Sequence, residues 1–386
     1  MTRPADDTVS VTSATGPTPL ELPAFPWDSL APHKARASAH PGGLVDLSVG
    51  TPVDPTPEVV RSALAEAADA PGYPLTVGTA DLRAAIVEWF ARRRGVPGLG
   101  TDAVLPTIGS KELVAWLPLL LGVRHGDVVG IPEVAYPTYD IGARLAGAIP
   151  RVVGSLTGLG PLTPSTTPKL LWLNSPGNPH GQVLGVGHLR KVVEWARRHG
   201  VVVASDECYA ELDWREGQYG TATPSILHPD VCDGDHTGLL AVYSLSKQSN
   251  LAGYRAALVA GDPVLVGRIL EVRKHAGMIM PAPVQAAMAA ALRDDAHVAA
   301  QRAVYARRRT LLLEAVARAG LRVEHSEAGL YLWATRDEDC WSTVADLAER
   351  GVLVAPGAFY GSAGTRHVRI ALTASDERIA AACERL

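Results

Sequence analysis

The chain has 386 residues, of which 47% are hydrophobic and 20% charged, with a formal net charge of −4. That length supports one large or two medium domains with a substantial core, and the slightly acidic balance leaves no basic footprint for nucleic acid. Cys208, Cys232, Cys340 and Cys383 show no paired spacing, which argues against a zinc site or a disulfide framework and points to a reducing cytoplasm. Residues 1–22 are rich in Thr, Ser, Pro and Asp and read as a flexible tail without the pattern of a signal peptide. Residues 23–44 read as an arm that joins a smaller domain. The chain holds no apolar run long enough to cross a membrane as a helix.

From residue 45 to 275 short β-branched runs alternate with longer helix-like segments. The pattern predicts strands over 45–49, 104–108, 128–131, 170–173, 201–205, 239–244 and 256–259. Helices are predicted over 58–67, 79–94, 111–121, 140–146 and 189–198. Such alternation indicates a large α/β domain with a mostly parallel sheet sandwiched by helices. After about residue 262 the pattern changes, with helices over 283–293 and 296–319 and strand-like pieces over 330–334, 352–355 and 367–372. Residues 276–386 therefore read as a smaller α+β domain. In an open parallel sheet ligands bind beyond the carboxyl ends of the strands, so polar residues just after strand runs carry the functional reading.

The most informative of these is Lys247. It ends the run Leu239-Leu-Ala-Val-Tyr-Ser-Leu-Ser-Lys247, flanked by Ser244 and Ser246, with Arg255 eight residues later. An amine there can form a Schiff base with an aldehyde. The hydroxyls and the guanidinium are donors suited to a phosphate. An aldehyde and a phosphate on one small molecule describe pyridoxal phosphate.

Other strand ends supply matching groups. Asp206 closes the run Val201-Val-Val-Ala-Ser-Asp206 and can pair with a protonated pyridine nitrogen, although a helix cap is an equal reading. Tyr209 could donate to the ring's 3-oxygen or simply pack. Asn178, in Asn174-Ser-Pro-Gly-Asn-Pro-His-Gly181, could reach the same oxygen and orient a carboxylate, while Asn-Pro and Gly also punctuate turns. Gly109, Ser110 and Lys111 join a strand to a helix start, where backbone N–H groups cradle phosphate. Tyr136 could stack on the ring or be an ordinary turn aromatic. Arg369, in the alternating segment His367-Val-Arg-Ile-Ala-Leu372, could clamp a substrate α-carboxylate or lie exposed on a strand. Gly50 could let backbone approach that carboxylate, or mark a turn.

In order and content these segments resemble the fold-type I pyridoxal-phosphate-dependent aminotransferases, class I/II, from about residue 24 onward. His180 stands where the family's Asn-Pro-Thr-Gly carries threonine. The resemblance implies that Lys247 binds the cofactor aldehyde and carries the proton between substrate Cα and cofactor C4′. It implies Asp206 at the pyridine nitrogen, Asn178 and Tyr209 at the 3-oxygen, and Tyr136 against the ring. Ser110, Lys111, Ser244, Ser246 and Arg255 fall at the phosphate, and Arg369 at the α-carboxylate. Tyr73 resembles a tyrosine that reaches the neighbouring subunit's cofactor, which implies a homodimer. The segments Phe25–Leu30, 45–54, 273–278, 329–335 and 355–361 further resemble the actinobacterial N-succinyldiaminopimelate aminotransferases of lysine biosynthesis. Alternatives are an aminotransferase for LL-diaminopimelate, aspartate or aromatic amino acids, and a β-eliminating C–S lyase. A pyridoxal-phosphate-binding regulator is disfavoured because no winged-helix-sized segment precedes the arm.

Overall fold

The computed structural model describes residues 22–160, 162–215 and 223–386; the expected tail, residues 1–21, lies outside them. β1 (Val45–Asp46) is followed by seven strands: β2 (Val104–Ile108), β3 (Val128–Pro132), β4 (Ile149–Val153), β5 (Pro168–Asn174), β6 (Val202–Asp206), β7 (Leu239–Ser244) and β8 (Ala256–Gly261). These seven form one sheet in the order β2-β8-β7-β6-β5-β3-β4. All neighbours are parallel except around β8, which runs antiparallel to both β2 and β7.

Two cores flank this sheet. One packs Ile86, Trp89 and Phe90 of the helix Ala80–Arg94 and Val192 of Val186–His199 against Val203, Ala241 and Leu258. The other packs Leu113 and Leu117 of the helix Ser110–Leu120 and Ile269 of Pro263–Ala276 against Val129, Trp172 and Val242. The sheet is thus buried on both faces, which explains why its strands read as apolar runs without alternation. β4 escaped the sequence reading because it is an edge strand with Ile149 and Val152 exposed and lacks a continuous apolar signal.

The smaller domain holds β9 (Arg322–Glu324), β10 (Tyr331–Thr335), β11 (Val352–Leu353), β12 (Ala355–Pro356) and β13 (His367–Ala371). Four of them form a sheet in the order β12-β13-β10-β9, antiparallel throughout.

Packing moves both expected domain boundaries. β1 pairs parallel with β11 rather than opening the large sheet, and Val45 and Leu47 pack with Leu332, Val352 and Ile370. The arm follows them, since Leu30 and Ala37 join the same core. At the other boundary, Met280, Met288 and Leu292 pack with the helix Ala80–Arg94, so the helix Ala282–Arg293 belongs to the larger domain. The smaller domain resumes with the 24-residue helix Asp295–Arg318. Periodicity alone gives an amphipathic helix no address, and only its neighbours assign it to a core.

Across the join, Arg308 donates to both oxygens of Asp54, at 2.7 and 2.6 Å, and to Asp376 at 2.6 Å. Gln301 also donates to Asp54, at 2.8 Å. Burial pushes the Asp54 carboxyl up, but these donors outweigh it and hold it below the usual carboxylate range. The segment 48–54 is thereby anchored to the smaller domain beside the sheet edge.

Candidate active site

Chain direction brings the polar residues to one edge of the large sheet. β5, β6 and β7 end there, with Asn174 opposite Asp206 and Asp206 opposite Val242. β2 ends at the same edge and leads into Gly109, while antiparallel β8 begins there just after Arg255. This is the edge at which open parallel sheets bind ligands.

Lys247 follows β7 in the short helix Leu245–Gln248. Its Nζ donates to the Gly50 carbonyl. Beneath it, Ser244 Oγ donates to Ser246 Oγ at 2.8 Å and accepts from the Ser246 N–H at 3.2 Å. Gly109 caps the helix Ser110–Leu120 with φ 95°, a conformation that favours glycine. A Cβ there would lie 2.1 Å from an Arg255 guanidinium nitrogen, so Arg255 lies directly against the helix N-terminus. Two hydroxyls, one guanidinium and a helix N-terminus are the kinds of donor that suit a phosphate. The Lys111 side chain turns away from this cluster, its ammonium lying 5.5 Å from the Phe25 ring centroid.

Asp206 is buried at 7% exposure. Its Oδ2 accepts from the Tyr139 hydroxyl at 2.9 Å and its Oδ1 from the Cys208 N–H at 3.2 Å. Burial raises its carboxyl above the ordinary value, and the bonds from Cys208 and Tyr139 offset part of that rise. A buried carboxylate held by neutral donors alone has the character needed to meet a cationic ring nitrogen. Burial raises the Cys208 thiol well above its ordinary value, Asp206 adds to that rise, and Ser110 and Lys247 oppose it. Burial also raises the Tyr136 phenol, with Tyr331, Asp206 and Arg369 among the groups that act on it.

Arg369 lies on β13, 3% exposed, which removes the exposed-strand alternative. It donates to Asn178 Oδ1 at 3.0 Å and to the Ser48 carbonyl at 2.6 Å. Its Nε is buried with no hydrogen-bond partner among the described residues. Asn178 is held in turn, because its N–H donates to Asn174 Oδ1 at 2.7 Å while Asn174 Nδ2 donates to the Asp206 carbonyl at 3.0 Å.

Tyr331 and Tyr139 stand outside the motifs that the sequence offers for the site. The Tyr331 ring faces the Arg369 guanidinium at 3.9 Å, and its hydroxyl is 3.2 Å from that of Tyr209. Strand pairing carried the missing signal. Trp333 stands opposite Arg369, so Tyr331 is the diagonal neighbour on the same face. Tyr73, by contrast, is 100% exposed and adds nothing to the cluster within one chain. Among the described residues no His/Cys/Asp/Glu group could hold a metal ion, and no helix is long and apolar enough to cross a membrane.

The sequence matches the family described as aminotransferase class I and II over residues 43–386. The chain belongs to the class I and II aminotransferases. It shares 61% identity over 374 residues with a Mycobacterium tuberculosis protein named a probable aminotransferase, covering 97% of this chain and 87% of that one. It shares 59% over 366 residues with the 4-dedimethylamino-4-oxo-anhydrotetracycline transaminase of Streptomyces rimosus, covering 95% and 99%. Among solved structures it resembles a probable N-succinyldiaminopimelate aminotransferase from Thermus thermophilus, with a TM-score of 0.81 and 31% identity over 94% of this chain and 100% of the other.

The fold of this aminotransferase is the fold-type I architecture, and its cofactor is pyridoxal phosphate. The residues present fit that group. A glycine stands where any Cβ would fill the space beside Arg255, and the buried carboxylate of Asp206 suits a cationic ring nitrogen.

Proposed function

We propose that this aminotransferase exchanges an amino group between glutamate and N-succinyl-2-amino-6-oxopimelate, giving 2-oxoglutarate and N-succinyl-LL-2,6-diaminopimelate. The observation that carries the reading is the buried Arg369, fixed by Asn178 and Ser48. Its planar fork suits a carboxylate next to the reacting carbon, and both substrates carry one there. Likeness to the Thermus thermophilus structure and to LL-diaminopimelate aminotransferases, such as the one from Gloeobacter violaceus at 34% identity over 95% of both chains, supports a diaminopimelate-type substrate.

Pyridoxal phosphate, when bound, supplies the aldehyde that takes up the amine and the ring that delocalises charge left at Cα. In this reading Lys247 Nζ anchors the cofactor and then moves the proton at Cα. Asp206 keeps the ring nitrogen protonated, Asn178 and Tyr209 hold the 3-oxygen, and Tyr136 packs against the ring. Gly109, Ser110 and Lys111 offer backbone N–H groups to the phosphate, joined by Ser244, Ser246 and Arg255. Gly50 lets the backbone approach the substrate. Tyr73, exposed in one chain, reaches the cofactor of a second copy in a homodimer. The reading places the reaction in the cytoplasm.

The Streptomyces rimosus relative at 59% identity favours a second reading, in which the acceptor is a polycyclic ketone. Spectral half-reactions with glutamate, aspartate, an aromatic amino acid, LL-diaminopimelate and its N-succinyl form, and the reverse half-reaction with a polycyclic ketone, separate the readings. Rapid reaction of the N-succinyl compound supports the first. An inert N-succinyl compound beside a fast rival donor removes it. Release of pyruvate and ammonia from cystathionine would instead mark a C–S lyase.

A further inference from the structure

Tyr331 lies among three groups that the proposed function uses, and nothing above assigns it a part. Its hydroxyl is 3.2 Å from that of Tyr209, its ring lies 3.9 Å from the Arg369 guanidinium carbon, and a Cβ on Gly50 would lie 2.1 Å from its oxygen. The hydroxyl is therefore walled by the Gly50 backbone on one side and meets Tyr209 on the other. At 5% exposure its ring has little room to turn.

A phenol has one proton to donate. If Tyr209 gives its proton to the cofactor's 3-oxygen, the contact between the two hydroxyls is a hydrogen bond in which Tyr331 donates. We propose that Tyr331 is a positioning residue that aims Tyr209 at the cofactor by donating its own proton to the Tyr209 oxygen. This rests on the reading of Tyr209 as a ligand of the 3-oxygen.

The local charges favour that direction. Burial raises the Tyr209 phenol well above its ordinary range. Burial also acts upward on Tyr331, but the Arg369 and Lys247 charges, together with the contact to Tyr209, leave that phenol below its ordinary value. The more acidic phenol is the stronger donor. A Tyr209 oxygen that already accepts one bond becomes a better donor itself, because neighbouring hydrogen bonds polarise one another.

The test uses purified cofactor-loaded protein as wild type, Y331F, Y209F and the double variant. For each, the cofactor's visible absorption is titrated across the neutral range, and cofactor content and melting temperature establish that it is folded and loaded. A weaker donor leaves the 3-oxygen more basic, so the protonated form persists to higher pH. Y331F should raise the midpoint by about half a pH unit. Y209F should raise it further, and the double variant should match Y209F alone because the relay is already cut. A fluorinated tyrosine introduced at 331, being a stronger donor, should lower the midpoint. An unshifted Y331F beside a shifted Y209F overturns the relay. So does a Y331F shift that persists in the Y209F background, since Tyr331 would then act on the cofactor directly. An unshifted Y209F instead removes the reading of Tyr209 on which the relay rests.

Discussion

Arg369 on β13 donates to Asn178 Oδ1 at 3.0 Å, joining the smaller domain's sheet to the turn that follows β5. The bond engages the amide oxygen of Asn178, so its NH2 group is the end of the amide that can donate. One arginine thus sets the orientation of a side chain from the other domain while its Nε has no hydrogen-bond partner among the described residues.

Replacing Arg369 with lysine keeps the charge but loses the fork. R369K should lower kcat/KM for the amino-acid donor by about 10²-fold, in line with loss of a buried charge-assisted contact. Steady-state kinetics with glutamate checks this, and an unchanged kcat/KM would remove Arg369 from the carboxylate site.

Lys247 has a different signature. K247A should retain noncovalently bound cofactor while turnover falls by at least about 10³-fold, the range expected when a positioned acid–base group is lost. Cofactor content per chain and single-turnover rates separate binding from chemistry. Turnover near the wild-type rate would remove Lys247 from the chemistry.

Asp206 gives a pH-dependent expectation for the cofactor-free protein. Burial raises its carboxyl above the value of 3.8 that it has in an unfolded chain. The folded state then binds the proton more tightly, so the contribution is present below that value and lost as pH rises through the raised one. The wild type should lose stability relative to D206N as pH rises from about 4. Thermal melts of both cofactor-free proteins at acidic and neutral pH test the slope. The slope rather than the offset is read, because Tyr139 and Cys208 donate to different oxygens of Asp206 and asparagine keeps only one of them.

Much of this site was legible because strands announce themselves by apolar runs and chemistry follows their ends. β2 and β7 have the predicted bounds of 104–108 and 239–244, and Gly109 and Ser244 follow from them. Tyr331 and Tyr139 were not legible, because a tyrosine acquires a role only from what stands opposite it. The same limit applies to Val45 and Leu47, whose apolar pattern suits either core and which pack in the smaller one. Lys111 shows the converse, since a residue in a phosphate-binding pattern turns its side chain to the N-terminal arm.

His180, the variation in the Asn-Pro-His-Gly turn, gives an acid-sensitive element. Burial first, and the nearby His325 second, depress its imidazole from 6.5 to about 4. Its Nδ1 accepts the Gln182 N–H at 3.1 Å, a bond that protonation would break. The unfolded chain takes up the proton more readily, so this contribution is full above about 6.5 and lost as pH falls toward 4. H180T should therefore reduce the acid loss of stability between those values, by at most about 3 kcal/mol. Parallel wild-type and H180T curves over that range would show that His180 does not titrate with folding.

The Gly50–Tyr331 contact also constrains how the sequence can drift. A Cβ at position 50 would lie 2.1 Å from the Tyr331 oxygen and 2.7 Å from two of its ring carbons. Phenylalanine at 331 removes only the first of these clashes, so no single aromatic exchange makes room for alanine at 50. The two positions can leave their present state only by changing together, through intermediates that carry either the clash or an unfilled gap. Lineages of this enzyme that acquire new substrates should therefore do so by altering walls elsewhere, while glycine at 50 and the ring at 331 are inherited as a pair.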